Sequence, residues 1–118
     1  MKIGSIVVKC KQFDKMLAFW MEALHYVPGV TADSGFVILG DPDGRGPNIS
    51  IDKALDRERI GSTKHPRLHL DLYADDQESE VERLLRIGAT RHRQKYDPED
   101  DFIVLEDPDG NLFCVVQT

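Results

Sequence analysis

Phe36-Val37-Ile38-Leu39-Gly40-Asp41-Pro42-Asp43-Gly44 returns as Phe102-Ile103-Val104-Leu105-Glu106-Asp107-Pro108-Asp109-Gly110. Six of the nine positions are identical, and the copies lie 66 residues apart in a chain of 118. The repeat extends upstream. Leu17, Trp20, Met21 and Leu24 form an i, i+3, i+4, i+7 stripe, and Val81, Leu84, Leu85 and Gly88 occupy the same places 64 residues later. One small unit is therefore written twice. Half of this chain is too short to bury a good core alone, so the sequence predicts two modules that pack together or exchange between subunits.

Around each copy the pattern switches between the periods of strand and helix. A strand is expected over Ile3 to Cys10, with Ile6, Val8 and Cys10 on one face. A helix follows from about Asp14 to His25, with Asp14 as its N-cap. Gly35 to Gly40 and Asn48 to Asp52 read as strands joined by the Asp-Pro-Asp-Gly turn, where Pro presets φ and Gly accepts positive φ. The second half repeats this order. Arg67 to Tyr73 alternates strictly, with Leu68, Leu70 and Leu72 on one face and His69, Asp71 and Tyr73 on the other. Asp75 or Asp76 caps a helix running to about Ile87, and Gly88 stops it. Strands are expected over Thr90 to Gln94, Phe102 to Glu106 and Asn111 to Val116. The fold class is α+β: two βαβββ modules, over about 1–52 and 67–118, forming a curved, mostly antiparallel sheet with helices on its outer face. Residues 53–66 are polar and read as the connection, able to form a short helix or a flap.

Composition narrows the function. A hydrophobic fraction of 41% and a charged fraction of 31% are those of an ordinary soluble domain. The net charge is −6, and the one basic run, Arg91 to Lys95, is followed at once by the acidic Asp97 to Asp101, which argues against nucleic acid. No apolar stretch is long enough for a membrane helix and the N-terminus lacks a signal-peptide pattern, so the expected location is the cytoplasm. Cys10 and Cys114 are the two cysteines, too few for a disulfide framework. The Asp-Pro-Asp-Gly segments lack the ligand spacing of a calcium loop and are read as turns.

Certain residues within this order resemble the vicinal oxygen chelate superfamily of glyoxalase I, bleomycin-resistance proteins, fosfomycin-resistance enzymes and extradiol dioxygenases. The carriers are His69-Leu70-Asp71-Leu72-Tyr73-Ala74-Asp75-Asp76, Leu85-Arg86-Ile87-Gly88-Ala89, and Leu105-Glu106-Asp107-Pro108-Asp109-Gly110-Asn111-Leu112-Phe113-Cys114, with Phe19-Trp20 and Leu24 as the first-half match. The ending in Phe-Cys is similar to a glyoxalase-like subset. The resemblance implies paired modules around a central cleft, commonly in a homodimer. It also implies four metal-ligand positions, which fall on Ser5, near Ser50, on His69 and on Cys114. One usual ligand, His69, survives. No cofactor is therefore expected, and any divalent metal would rest on His69.

The leading expectation is a small organic molecule bound in the cleft between modules, with Ser5, Ser50, His69, Asp71, Tyr73 and Cys114 on its wall. His69 is the candidate catalytic residue: a neighbouring Asp71 can orient the ring and raise its basicity for proton transfer. Two alternatives stand beside this. One is a lyase, isomerase or dioxygenase-type enzyme using His69 with a weak or unconventional metal. The other is a structural or regulatory dimer without a ligand. Trp20 is read as core, Cys114 as a pocket-wall thiol, and His25, His65 and His92 as surface.

Overall fold

The computed structural model describes residues 1–29, 34–55 and 68–118. The chain divides into two compact units, Met1–Ile60 and Gly61–Thr118. Of the expected connection over 53–66, Lys53 belongs to a strand of the first unit, and residues 56–66, with His65 among them, lie outside the described residues, as does Arg67 at the start of the next expected strand.

The first unit contains β1 (Ser5–Cys10), α1 (Phe13–Leu24), β2 (Val27–Pro28), β3 (Phe36–Gly40) and β4 (Asn48–Lys53). The second contains β5 (Leu70–Ala74), α2 (Gln77–Arg86), β6 (Thr90–Arg91), β7 (Phe102–Glu106) and β8 (Leu112–Gln117). Each unit is thus β-α-β-β-β with one four-stranded sheet, ordered β1-β4-β3-β2 and β5-β8-β7-β6. In each sheet the first strand runs parallel to the last, and the other two pairings are antiparallel. The duplication reaches the register. Val7 pairs with Ser50 as Asp71 pairs with Cys114, and Phe36 pairs with Asp52 as Phe102 pairs with Val116.

The repeated Asp-Pro-Asp-Gly segment makes the turn before the last strand of each unit. The Asp107 carboxylate, 3% exposed, accepts from the backbone N–H of Asp109 and of Asn111, and from Asn111 Nδ2. Asp41 accepts from the N–H groups of Asp43, Arg45 and Gly46, and these bonds, that from Asp43 foremost, hold its carboxyl below the usual carboxylate range. Gly44 and Gly110 take φ of 68° and 87°, the left-handed region that suits glycine. The turn therefore folds around its own aspartate, whose carboxylate gathers the backbone N–H groups of the residues that follow.

The helices bury one stripe each. In α1 the buried residues are Met16, Phe19, Trp20 and Ala23, not the Leu17, Trp20, Met21, Leu24 set expected from sequence. Leu17, Met21 and Leu24 are only half-buried. The helix is apolar around much of its girth, so the packing partner, β4 with Ile49 and Ile51, decides which phase is covered. Phe19 and Trp20 meet edge to face at 5.1 Å. The N-cap of α1 is Gln12, without a side-chain cap bond; Asp14 lies in the first turn, where its charge suits the helix dipole. His25 closes α1 in the left-handed region at φ 56°.

In α2, Val81 and Leu84 are buried and the helix packs on β8, whose Phe113 and Val115 are each 1% exposed. Asp76 caps it by accepting from Ser79 N–H, and Gly88 follows its end at positive φ. Glu78 and Glu80 sit in its first turn and Arg83 and Arg86 in its last, as the dipole favours. Two sequence expectations are corrected at strand ends. Leu68 is 87% exposed because the ladder starts at Leu70, so alternation in the sequence runs past the hydrogen-bonded strand. The strand expected over Thr90 to Gln94 is only Thr90–Arg91; His92 N–H still donates to the Val104 carbonyl, and then Tyr96 Oη accepts from Val104 N–H in place of a strand partner.

Among the described residues, no helix is long and apolar enough to cross a membrane.

Candidate functional site

Covering one face of the second sheet with α2 leaves the other face open. On β8, Phe113 and Val115 point to the helix, so Leu112, Cys114 and Val116 take the opposite side. On β7 the same period sends Phe102 and Val104 with them, and on β5 it sends Asp71 and Tyr73. His69 precedes β5 in the same phase. These residues, with Gln94 and Asp101, line an open hollow of about 410 Å³. Phe102, Val104, Leu112 and Val116 give it apolar surface, while His69, Asp71 and Cys114 form one polar group and Gln94 and Asp101 add polar atoms from the segment between β6 and β7.

The gathering follows from register. Asp71 and Cys114 are directly opposite in the parallel β5–β8 pair. His69 Nε2 lies 3.2 Å from Asp71 Oδ1, with about half of each side chain exposed. Cys114 is half-buried, and its thiol donates to the Asp71 carboxylate. Burial first, and then the charge and hydrogen bond of Asp71, push the Cys114 thiol up to about 11. At neutral pH the free site therefore holds a protonated thiol, a hydrogen-bond donor and not an activated nucleophile. Asp71 is the hub, drawing on the ring and the thiol at once.

Sequence reasoning placed His69, Asp71, Tyr73 and Cys114 at a site, and all four line this hollow. Ser5 and Ser50 belong to the first unit. There the Ser5 and Ser50 hydroxyls hydrogen-bond to each other, and Ser50 is fully buried. Two neutral hydroxyls already satisfied by one another are poor partners for a divalent ion, so the four positions Ser5, Ser50, His69 and Cys114 do not fit the ligand set the resemblance implies. Trp20 is core at 2% exposure, and His25 is exposed at its helix end. His92 is half-buried, not surface, with Nδ1 at 3.4 Å from Glu106 Oε1. Gln94, Asp101, Phe102 and Val104 were not picked out from sequence. For Phe102 and Val104 the signal was available in the i, i+2 phase of their strand.

The chain belongs to the glyoxalase-like family: the model of the Glyoxalase-like domain matches residues 5–116. Solved structures share the fold across the whole chain. A glyoxalase/bleomycin resistance protein/dioxygenase family enzyme from Burkholderia phytofirmans PsJN is 18% identical with a TM-score of 0.74, over 99% of this chain and 98% of its own. A possible glyoxalase from Bacillus cereus is 16% identical with a TM-score of 0.69, over 98% of each. TnmS3, an antibiotic binding protein from Streptomyces sp. CB03234, is 19% identical with a TM-score of 0.69, over 99% of this chain and 95% of its own. No curated protein matches the chain in sequence.

Proposed function

We propose that the protein binds a small organic molecule in the hollow of its second module. The observation that carries this reading is the hollow itself. Its volume of about 410 Å³ falls in the range of small-molecule sites, and it joins apolar surface to a few convergent polar groups. Asp71 and His69 supply an acceptor and a titratable ring, and Tyr73, 75% exposed at the margin, offers a face for a flat ligand. The same fold serves antibiotic binding in TnmS3, which lends the reading support from architecture. A panel of small aromatic metabolites and antibiotics, followed by thermal shift and calorimetry, tests it. A true ligand loses affinity with Tyr73→Ala and with Val116→Trp, which fills the hollow. A ligand whose affinity neither change alters would refute the assignment.

The 3.2 Å contact between His69 and Asp71 favours a second reading, proton transfer at the ring in a lyase or isomerase. It requires a bell-shaped pH–rate profile and a loss of roughly 10²-fold or more with His69→Ala. A full-rate His69→Ala protein would remove it.

A further inference from the structure

A ring nitrogen of His69, a carboxylate oxygen of Asp71 and the sulfur of Cys114 all lie within 4.8 Å of one another. Among the described residues this is the one place where three such side chains converge. The backbone fixes the convergence, because Asp71 and Cys114 are register partners on neighbouring parallel strands and His69 stands two residues before Asp71 in the same phase. Four-coordinate zinc holds its donors at about 2.0–2.3 Å, which places neighbouring donors on the order of 3.5 Å apart. His69 and Asp71 are already at 3.2 Å, so Cys114 and the ring need adjust by about an ångström, which half-exposed side chains can do.

The donor set selects the ion. Calcium and magnesium take six or more oxygens, whereas one nitrogen, one oxygen and one sulfur suit a borderline ion that accepts four ligands. Three protein donors leave the fourth position open, the arrangement of catalytic and not of structural zinc. All three donors come from the second unit, so the site needs neither Ser5 nor Ser50. We propose that the second module holds a zinc-class divalent ion through His69, Asp71 and Cys114. This ligand set differs from the four positions the family resemblance implied, since Asp71 enters it and both first-unit positions leave it. No small molecule is needed for the ion to bind, so this assignment and the proposed function stand or fall separately.

The test uses the full chain, stripped with a chelator and titrated with Co²⁺ as a spectroscopic stand-in and with Zn²⁺ by calorimetry. The expected result is one ion per chain, a thiolate-to-cobalt charge-transfer band in the near ultraviolet, and displacement of cobalt by zinc. Cys114→Ser abolishes that band. Asp71→Ala and His69→Ala each weaken zinc by more than about 100-fold, beyond the loss typical of residues that merely orient a ligand. His69 and Asp71 are half exposed, so these variants keep the core, and circular dichroism checks their fold. Absence of the charge-transfer band at excess Co²⁺ overturns the proposal. So does zinc affinity that Cys114→Ser and Asp71→Ala leave unchanged, for then any ion sits elsewhere or the three side chains only hydrogen-bond to one another. Intact zinc binding in a protein that takes no small molecule counts against the proposed function alone.

Discussion

Replacing Asp71 with Asn should make Cys114 react faster. The thiol stands at about 11, against an ordinary value of 9.0, through burial, then the Asp71 charge, then its hydrogen bond. At pH 8 a thiol of ordinary acidity is roughly one-tenth thiolate, and one at about 11 is roughly one-thousandth, a deficit of about 100-fold. A more basic thiolate is intrinsically more nucleophilic, which returns about 6- to 10-fold. Cys114 should therefore alkylate about 10-fold more slowly at pH 8 than an exposed cysteine in a peptide. Its rate should still be climbing beyond pH 10. Asp71→Asn removes the charge and keeps the burial, so the rate rises without reaching that of the peptide. The assay is iodoacetamide modification followed by intact mass, in chelator, with Cys114→Ser as the baseline; Cys10 is 0% exposed and silent in the native state. An inflection near 9 or below, or an Asp71→Asn rate no higher than that of the parent, would refute the reasoning. Linkage gives the same shift a second reading. Below about pH 9 both the folded and unfolded thiols keep their proton and stability is unaffected. Between 9 and 11 the unfolded state loses its proton first, so stability falls with rising pH, more steeply than in Cys114→Ser.

Three further outcomes are expected. Asp107→Ala leaves three donors without their buried acceptor and should cost about 3 kcal/mol or more in denaturant unfolding, whereas Asp41→Ala, at the more exposed copy of the turn, should cost less; equal losses would contradict the contrast in burial. A side chain at Gly46 would run into the Tyr26 hydroxyl, so Gly46→Ala should destabilise by about 1–3 kcal/mol and Tyr26→Phe should relieve part of that loss, while strict additivity of the pair would exclude the clash. Asp76→Ala removes the acceptor for Ser79 N–H at the start of α2 and should cost about 1 kcal/mol, read as a shift in unfolding midpoint with unchanged slope.

What the sequence made legible was whatever depends on local pattern. The two Asp-Pro-Asp-Gly turns, a helix cap at Asp75 or Asp76, the Gly88 stop and the two faces of the strand after His69 follow from residue type and a period of two. The α1 stripe did not, because apolar residues at 16 to 21, 23 and 24 satisfy more than one helical phase, and only contact with β4 selects Met16, Phe19, Trp20 and Ala23. The two-residue strand β2 is too short to have a period at all, and β6 stands where a strand is expected but is shorter than the expected one. At the site, alternation told which side of each strand Asp71 and Cys114 take. It could not tell that these strands are neighbours, since their partnership spans 43 residues and is a property of sheet order. For that reason Cys114 read as an isolated pocket-wall thiol, and its bond to Asp71 had to come from the structure.

The parallel pairing of first and last strand also sets an order of assembly. Hairpins such as β7–β8 close locally and early, but β5 must wait for residues 112–117, and β1 for residues 48–53, before either gains a neighbour. Each module is thus locked by a contact of long sequence separation, the kind that slows folding most. While a ribosome is still short of residue 112, β5 has no partner within its own sheet and presents a bare edge to other nascent chains. The last strand of the module shields that edge and in the same step delivers Cys114 to Asp71, so the polar corner of the hollow is assembled only when the folding of the module is finished.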